Sequence, residues 1–303
     1  MAQLITPIEV SLKNILVATD FSPASFAALT YVLPIARQFN SLVHLVHVIY
    51  LRDSDIASPA ANSEICRQAL MDAQRQLEFL ETALGAVPHR KWLREGKVSE
   101  VIEDLVRSEH MDLVAVGASE KSEVKKFFLG SVAEEIVRTA TCPVLAIGPH
   151  ASPTNTDAPP PAQLLYVTCF WEESHDGLRY AIRLAMLYRS RLLLLHVIEQ
   201  DDPKQSDHDW LKEYRRILRD LLPECAGDPV VEPVLRIEVA KNASTRILQV
   251  ADEIGTDLIV MDVRPEQPWA THLRDKVSEI ISCASCPVLT VRTEANVSGG
   301  GKS

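Results

Sequence analysis

The sequence predicts two tandem α/β domains, each an open five-stranded parallel sheet with helices on both faces. Three observations support this fold class. The chain has 303 residues, a length typical of two domains. Its halves repeat the same short blocks in the same order. In each half, continuous apolar runs alternate with segments of helical period, which indicates βαβ units around a buried parallel sheet.

The repeat consists of four blocks that recur about 145 residues apart. Each block contains an apolar run typical of a β-strand. The paired segments are 14–20 with 163–169, 46–49 with 195–198, 111–117 with 256–262, and 141–145 with 285–289. Because all four keep their order, a duplicated domain explains them better than chance.

Domain boundaries follow from composition. We predict an N-terminal domain at 1–149, a linker at 150–162, a C-terminal domain at 163–292 and a disordered tail at 293–303. The linker contains three consecutive prolines and has no apolar periodicity, which predicts a semi-rigid extended segment. The tail is polar and rich in glycine, so it lacks the apolar residues needed for a core.

Elements of the first half follow from its apolar pattern. The predicted strands are 14–19, 43–49, 89–94, 111–117 and 142–148. Ser22 is the expected N-cap of the first helix, with Pro23 at its first position. The helix faces that we expect to be buried comprise Phe26, Leu29, Leu33 and Ala36 in the first helix, Ala133, Ile136, Val137 and Ala140 in the last, and Leu178, Ala181, Ile182 and Ala185 in the second half. Each half should therefore hold five strands and four helices.

Charge and composition exclude several partner classes. The formal charge of −10, from 31 Lys and Arg against 41 Asp and Glu, disfavours binding to nucleic acid. The sequence has no apolar run of membrane-spanning length and no signal-peptide pattern. Six cysteines are too few for a disulfide framework and suit a reducing compartment. We expect a soluble cytoplasmic protein that contacts neither membrane nor nucleic acid.

Other candidate chemistry is better explained by structure. The pair Cys283 and Cys286 has redox spacing but lacks a second Cys or His pair, so a packed helix end is expected. His47 and His196 occupy matched strand positions, which indicates sheet histidines rather than a catalytic triad. The polar cluster at 172–176 is expected to be a solvated helix start. No catalytic and no metal-binding residue is predicted.

The loop after the fourth strand is the strongest candidate for a ligand site. An open parallel sheet binds ligands at the carboxyl ends of its strands, where the strand order reverses. Gly117 ends the fourth strand, and glycine allows backbone to approach a ligand closely. Gly130 and Ser131 then place amides and a hydroxyl at a helix N-terminus, which favours an anion. We therefore predict a phosphate-binding loop.

These segments together resemble the universal stress protein (UspA-like) family. The resemblance is carried by Thr-Asp-Phe-Ser at 19–22, Val-His-Val-Ile at 46–49, Leu-Gly-Ser-Val-Ala-Glu at 129–134 and Cys-Pro-Val-Leu at 142–145, and it extends over both halves as in a tandem member. It implies a Rossmann-like fold of the adenine nucleotide alpha hydrolase-like kind, ATP as ligand with Mg²⁺ as a candidate companion, and binding through Asp20, the backbone of Val48, Gly117, Gly130 and Ser131.

The two halves depart unequally from the family pattern. In the first, Glu120 holds the place of the middle glycine of the ATP-binding loop. In the second, Cys169 replaces Asp20, Asp262 replaces Gly117, and Arg-Asp at 274–275 replaces Gly-Ser at 130–131. We therefore expect nucleotide binding in the N-terminal domain only. The C-terminal domain is expected to be structural and to pair with the first.

Three functions remain open at this point. The first is a stress-response module whose nucleotide occupancy changes its conformation or its association with itself or with a protein partner. The second is an interaction scaffold that binds no nucleotide. The third is a slow ATPase, which ranks last because the sequence lacks a convincing base, metal carboxylate pair or phosphate-loop lysine.

Overall fold

The computed structural model describes residues 10–49, 59–118, 129–151, 160–168, 176–200, 212, 233–263 and 270–292. The chain divides into two compact units: unit one comprises residues 11–160, and unit two comprises residues 161–303 together with 1–10. Most of the predicted linker (152–159) and the predicted tail (293–303) lie outside the described residues. No helix within the described ranges is long and apolar enough to span a membrane.

Unit one is a five-stranded parallel sheet in the order β3-β2-β1-β4-β5. Its elements are β1 (Asn14–Ala18), α1 (Pro23–Phe39), β2 (Leu42–Ile49), α2 (Pro59–Leu84), β3 (His89–Glu95), α3 (Val98–Ser108), β4 (Leu113–Gly117), α4 (Ser131–Thr139) and β5 (Val144–Ile147). This confirms the predicted five strands and four helices for the first half.

Unit two repeats the sheet in the order β10-β9-β6-β7-β8, again with every described pair parallel. Its elements are β6 (Gln163–Val167), α5 (Asp176–Tyr188), β7 (Arg191–Glu199), β8 (Val234–Ala240), α6 (Ala243–Glu253), β9 (Leu258–Val263), α7 (Ala270–Cys283) and β10 (Val288–Arg292). The fourth helix, expected between β7 and β8, falls on residues 201–232, of which the structure describes only residue 212, in a helix.

Apolar strands form the centre of each unit, as expected for parallel sheets covered on both faces. The middle residues of β1 and β6, including Leu16 and Leu165, are fully buried. Ser22 caps α1 by accepting a hydrogen bond from the Ser25 N–H at 3.2 Å, as predicted. The prediction that Phe26 is buried is wrong, because its side chain is 42 % exposed. Phe26 lies in the first turn of α1, which extends past the carboxyl end of β1.

The start of the first strand is fixed by the same contact in both units. The Asp112 carboxylate accepts hydrogen bonds from the backbone N–H groups of residues 13 and 14, each at 2.8 Å. The Asp257 carboxylate accepts from residues 162 and 163 at 2.8 and 2.9 Å. Because this contact is duplicated with the fold, it belongs to the scaffold rather than to a ligand site.

Candidate functional site

The candidate site of unit one lies where the strand order reverses. β1 and β4 are neighbours, but α1 leads from β1 to β2 on one side, whereas α4 leads from β4 to β5 on the other. The residues that follow β1 and those that end β4 therefore meet at the carboxyl edge of the sheet. This reversal leaves a crevice between diverging connections, the usual ligand position of such sheets.

The turn after β1 holds Asp20 at this edge. Its Oδ1 atom accepts a hydrogen bond from the Ser22 N–H at 3.0 Å. The next residue, Phe21, has φ = 63°, a left-handed conformation that is rare for a bulky residue. Its N–H donates to Thr19 Oγ1 at 3.0 Å, and that oxygen also bonds the Ser25 hydroxyl at 3.0 Å. These bonds stabilise a costly turn, which is typical of functional sites.

At the same edge, His47 takes the backbone acceptor that the Val48 N–H would otherwise use. The Thr19 N–H donates to the Val46 carbonyl at 2.8 Å, so a continued ladder would bring the Val48 N–H to the Thr19 carbonyl. Instead, His47 Nδ1–H donates to that carbonyl at 2.8 Å, and the ring packs on Phe21 with centroids 4.2 Å apart. Among the described residues, no hydrogen bond from β1 reaches the Val48 backbone. Its N–H and C=O can therefore meet a ligand.

Gly117 is required by helix packing. A Cβ at this position would lie 2.1 Å from the Ala24 carbonyl oxygen and 2.5 Å from the Ser25 nitrogen. Both are backbone atoms in the first turn of α1, so they cannot move aside as a flexible side chain would. The close approach of α1 to β4 is thus a sufficient reason for this glycine, in addition to any role towards a ligand.

Gly130 and Ser131 open α4 towards an anion. Gly130 is the N-cap residue, and none of the side chains that the structure describes caps this helix start. Its backbone angles, φ −49° and ψ 142°, are accessible to any residue, so the fold does not require glycine here. Ser131 and Val132 are exposed. The first N–H groups of a helix lack intrahelical acceptors and carry the positive end of its dipole. Glu120 and the neighbouring lysines of the loop lie outside the described residues.

Unit two has the same histidine contact as unit one, but different residues lie at its carboxyl edge. His196 Nδ1–H donates to the Thr168 carbonyl at 3.0 Å, as His47 does in unit one. Asp262, however, stands in the place of Gly117, and its Oδ1 atom accepts a hydrogen bond from the Gly177 N–H at 2.9 Å. Cys169 and the side chains at 274–275 lie outside the described residues. The two carboxyl edges therefore differ in charge at equivalent positions.

Burial favours the neutral forms of two histidines and two cysteines. Burial lowers the pKa of His47, against the opposing effects of its bond to Thr19 and the charge of Asp20. Burial also lowers the pKa of His196, to about 4. Burial raises the pKa of the Cys142 and Cys286 thiols to about 12, so both thiols are protonated at neutral pH and are poor nucleophiles. Within the described ranges, no three His, Cys, Asp or Glu side chains gather as a metal site.

Comparison with known proteins identifies the family. The sequence profile described as "Universal stress protein family" matches residues 11–148 and 163–292, one match in each unit. The chain belongs to the universal stress protein family. This confirms the resemblance found in the sequence, and it accounts for the duplicated fold as two family domains in tandem.

Individual relatives agree with this assignment. A universal stress protein of Methanocaldococcus jannaschii is 26% identical over 140 residues, which cover 45% of this chain and 81% of the relative. A universal stress protein A homolog of Coxiella burnetii is 29% identical over 140 residues, which cover 45% of this chain and 95% of the relative. The crystal structure of an Archaeoglobus fulgidus universal stress protein, 22% identical, covers 92% of this chain and 98% of its own with a TM-score of 0.64, which supports the tandem fold.

Substitution of Gly117 tests the packing of α1. Gly117→Ala should lower the free energy of unfolding of unit one by about 3 kcal/mol, because the added Cβ overlaps backbone atoms. Gly85→Ala is the matched control, since Gly85 has φ = 56° but no atom within 4 Å of an added Cβ. It should cost about 1 kcal/mol, from backbone conformation alone. Equal losses in urea unfolding of the two variants would contradict this account of Gly117.

Acid should weaken the fold through His196. Its pKa is about 4 when folded and about 6.5 when unfolded, so the unfolded state binds more protons as pH falls below about 6.5. His196→Asn keeps a donor near the Nδ1 position and cannot titrate. The free energy of unfolding, measured between pH 7 and 4.5, should fall less steeply in this variant, by up to about 1.4 kcal/mol per pH unit.

The control for this experiment is His110→Asn, which replaces an exposed histidine with a residue that tolerates its left-handed backbone. His110→Asn should follow the wild-type pH dependence. An unchanged slope in His196→Asn would show that His196 contributes nothing to acid sensitivity.

Proposed function

We propose that unit one binds ATP or a related adenine nucleotide, and that the bound nucleotide changes the conformation or association of the protein in a stress response. The observation that carries this proposal is the open start of α4 at Gly130 and Ser131, next to the crevice between β1 and β4. Membership of the universal stress protein family gives the cellular context.

The start of α4 suits phosphate. Within the described ranges, no side chain caps its first backbone N–H groups, and Gly130 adds no side chain of its own. The Ser131 hydroxyl adds a donor at the same point, since this side chain is exposed. By contrast, α1 is capped by Ser22, so its start is less available to a phosphate. Mg²⁺ would be held chiefly by the nucleotide phosphates, because the described residues hold no metal-ligand cluster.

The open backbone of Val48 suits adenine. Its N–H can donate to a ring nitrogen, while its C=O can accept from the exocyclic amine, a donor and acceptor pair that complements the edge of the base. The exposed Asp20 carboxylate can accept from ribose hydroxyl groups, as acidic residues do in other nucleotide-binding α/β sheets. These contacts and the α4 start lie along one edge of the sheet. We assign no catalytic residue.

Nucleotide binding can be tested with the double variant Gly130→Val, Ser131→Ala in the full-length chain. The Gly130 backbone angles accept valine, so the variant should fold. Its side chain would block the helix start, and the alanine would remove the hydroxyl donor. We expect ATP affinity, measured by equilibrium dialysis, to fall at least tenfold, which is about 1.4 kcal/mol of binding free energy.

Ser108→Ala is the control, because it removes an exposed hydroxyl at the end of α3, away from the strand reversal. It should bind ATP as the wild type does, and circular dichroism should report the same helix content for all three proteins. Wild-type protein that binds no ATP, or a folded double variant with unchanged affinity, would refute the proposal.

A further inference from the structure

Asp262 makes an unusual contact at the carboxyl edge of unit two. It lies in β9, beside the end of β6, the place that Gly117 occupies in unit one. Its Oδ1 atom accepts a hydrogen bond from the Gly177 N–H at 2.9 Å, in the first turn of α5. Its Oδ2 atom accepts from the Tyr166 hydroxyl at 2.5 Å. Both oxygens of this carboxylate are therefore bound within the unit.

The partners of Asp262 are specific to unit two. Repeated contacts fix the alignment, because Thr168 and His196 match Thr19 and His47 with numbers that differ by 149. By the same offset, Tyr166 corresponds to Val17 and Gly177 to Ala28. Unit one thus has no hydroxyl donor at the first position and has a Cβ atom at the second.

Gly177 and Asp262 are sterically matched. A Cβ on Gly177 would lie 2.3 Å from Asp262 Oδ1, so any larger residue would displace the carboxylate. Unit one shows the reverse arrangement, with the glycine on the strand at position 117 and the residues Ala24 and Ser25 on the helix. Tyrosine, glycine and aspartate therefore form a set of three differences that together hold a negative charge at the start of α5.

A second carboxylate of unit two binds the start of another helix, α6. Glu199 Oε1 accepts a hydrogen bond from the N–H of Ala243, the first residue of α6, at 2.9 Å. Its Oε2 atom pairs with Lys276 Nζ of α7 at 2.6 Å. The corresponding helix of unit one, α3, has no side-chain cap at its start. In unit two, the carboxylates of Asp262 and Glu199 thus accept hydrogen bonds from backbone N–H groups at the starts of two helices.

We propose that Asp262 is a built-in anion that closes unit two to anionic ligands. It takes up the backbone donor of Gly177 and the positive end of the α5 dipole, which would otherwise attract an anion. Its own charge also repels a second anion at the strand reversal. The inference stands on contacts within unit two and does not require unit one to bind a nucleotide.

Removal of the carboxylate should create a site that a small anion can refill. Asp262→Gly removes the carboxylate that accepts hydrogen bonds from the Gly177 N–H and the Tyr166 hydroxyl, so the full-length chain should melt at least about 5 °C lower. Sodium formate supplies the missing carboxylate and can enter because Asp262 is only partly buried. Compared with sodium chloride at equal concentration, formate should recover at least half of the lost melting temperature in this variant and shift the wild type by less than 1 °C.

Asp252→Gly is the control, because it removes an exposed carboxylate of the same unit and changes the net charge equally. Formate should not restore its melting temperature beyond the wild-type response. If Asp262→Gly fails to fold in chloride, its refolding yield in formate and in chloride provides the same comparison. An Asp262→Gly protein that melts like the wild type, or that responds to formate no more than Asp252→Gly does, would overturn the inference.

Discussion

Close packing of α1 against β4 determines the geometry of the carboxyl edge in unit one. In unit one, α1 reaches β4 so closely that Gly117 has no room for a side chain. This approach fixes the start of α1, where Ser22 caps the helix and Asp20 is held at the sheet edge. The position of the candidate site is thus a consequence of backbone packing at a single glycine.

The duplication provides an internal comparison between scaffold and site. Contacts found in both units, such as those of Asp112 and Asp257 or of His47 and His196, maintain the fold. Residues found in one unit only, such as Gly117 and Asp262, distinguish the two carboxyl edges. In unit one, no described side chain caps the start of α4, whereas in unit two the Asp262 carboxylate accepts a hydrogen bond from the first turn of α5.

Much of this fold could be predicted from the sequence because its signals are local. Apolar runs placed the second strand at 43–49, and the structure has it at Leu42–Ile49. Serine followed by proline marked the start of α1. Both features depend on residues within a few positions of one another, so periodicity and capping rules can detect them.

The geometry of the site could not be predicted in the same way, because it depends on distant contacts. The sequence shows that Asp262 is a charged replacement, but its partner Gly177 is 85 residues away. The sequence predicts that Gly117 lets a ligand approach, and it does not reveal that Ala24 lies against the same position. The turn-forming residues Asp20 and Ser22 flank Phe21, but nothing in the sequence indicates that Phe21 itself adopts the left-handed conformation. The small residues Ala24 and Ser25 at the start of α1 are the sequence feature that could indicate close packing against β4.

If unit one binds a nucleotide and Asp262 closes unit two, the full-length chain should bind one ATP molecule. Isothermal titration calorimetry of the wild-type protein with ATP and Mg²⁺ should give one site per chain. Two sites of similar affinity would contradict this, because the carboxyl edge that carries Asp262 would then accept a nucleotide as readily as the edge that carries Gly130.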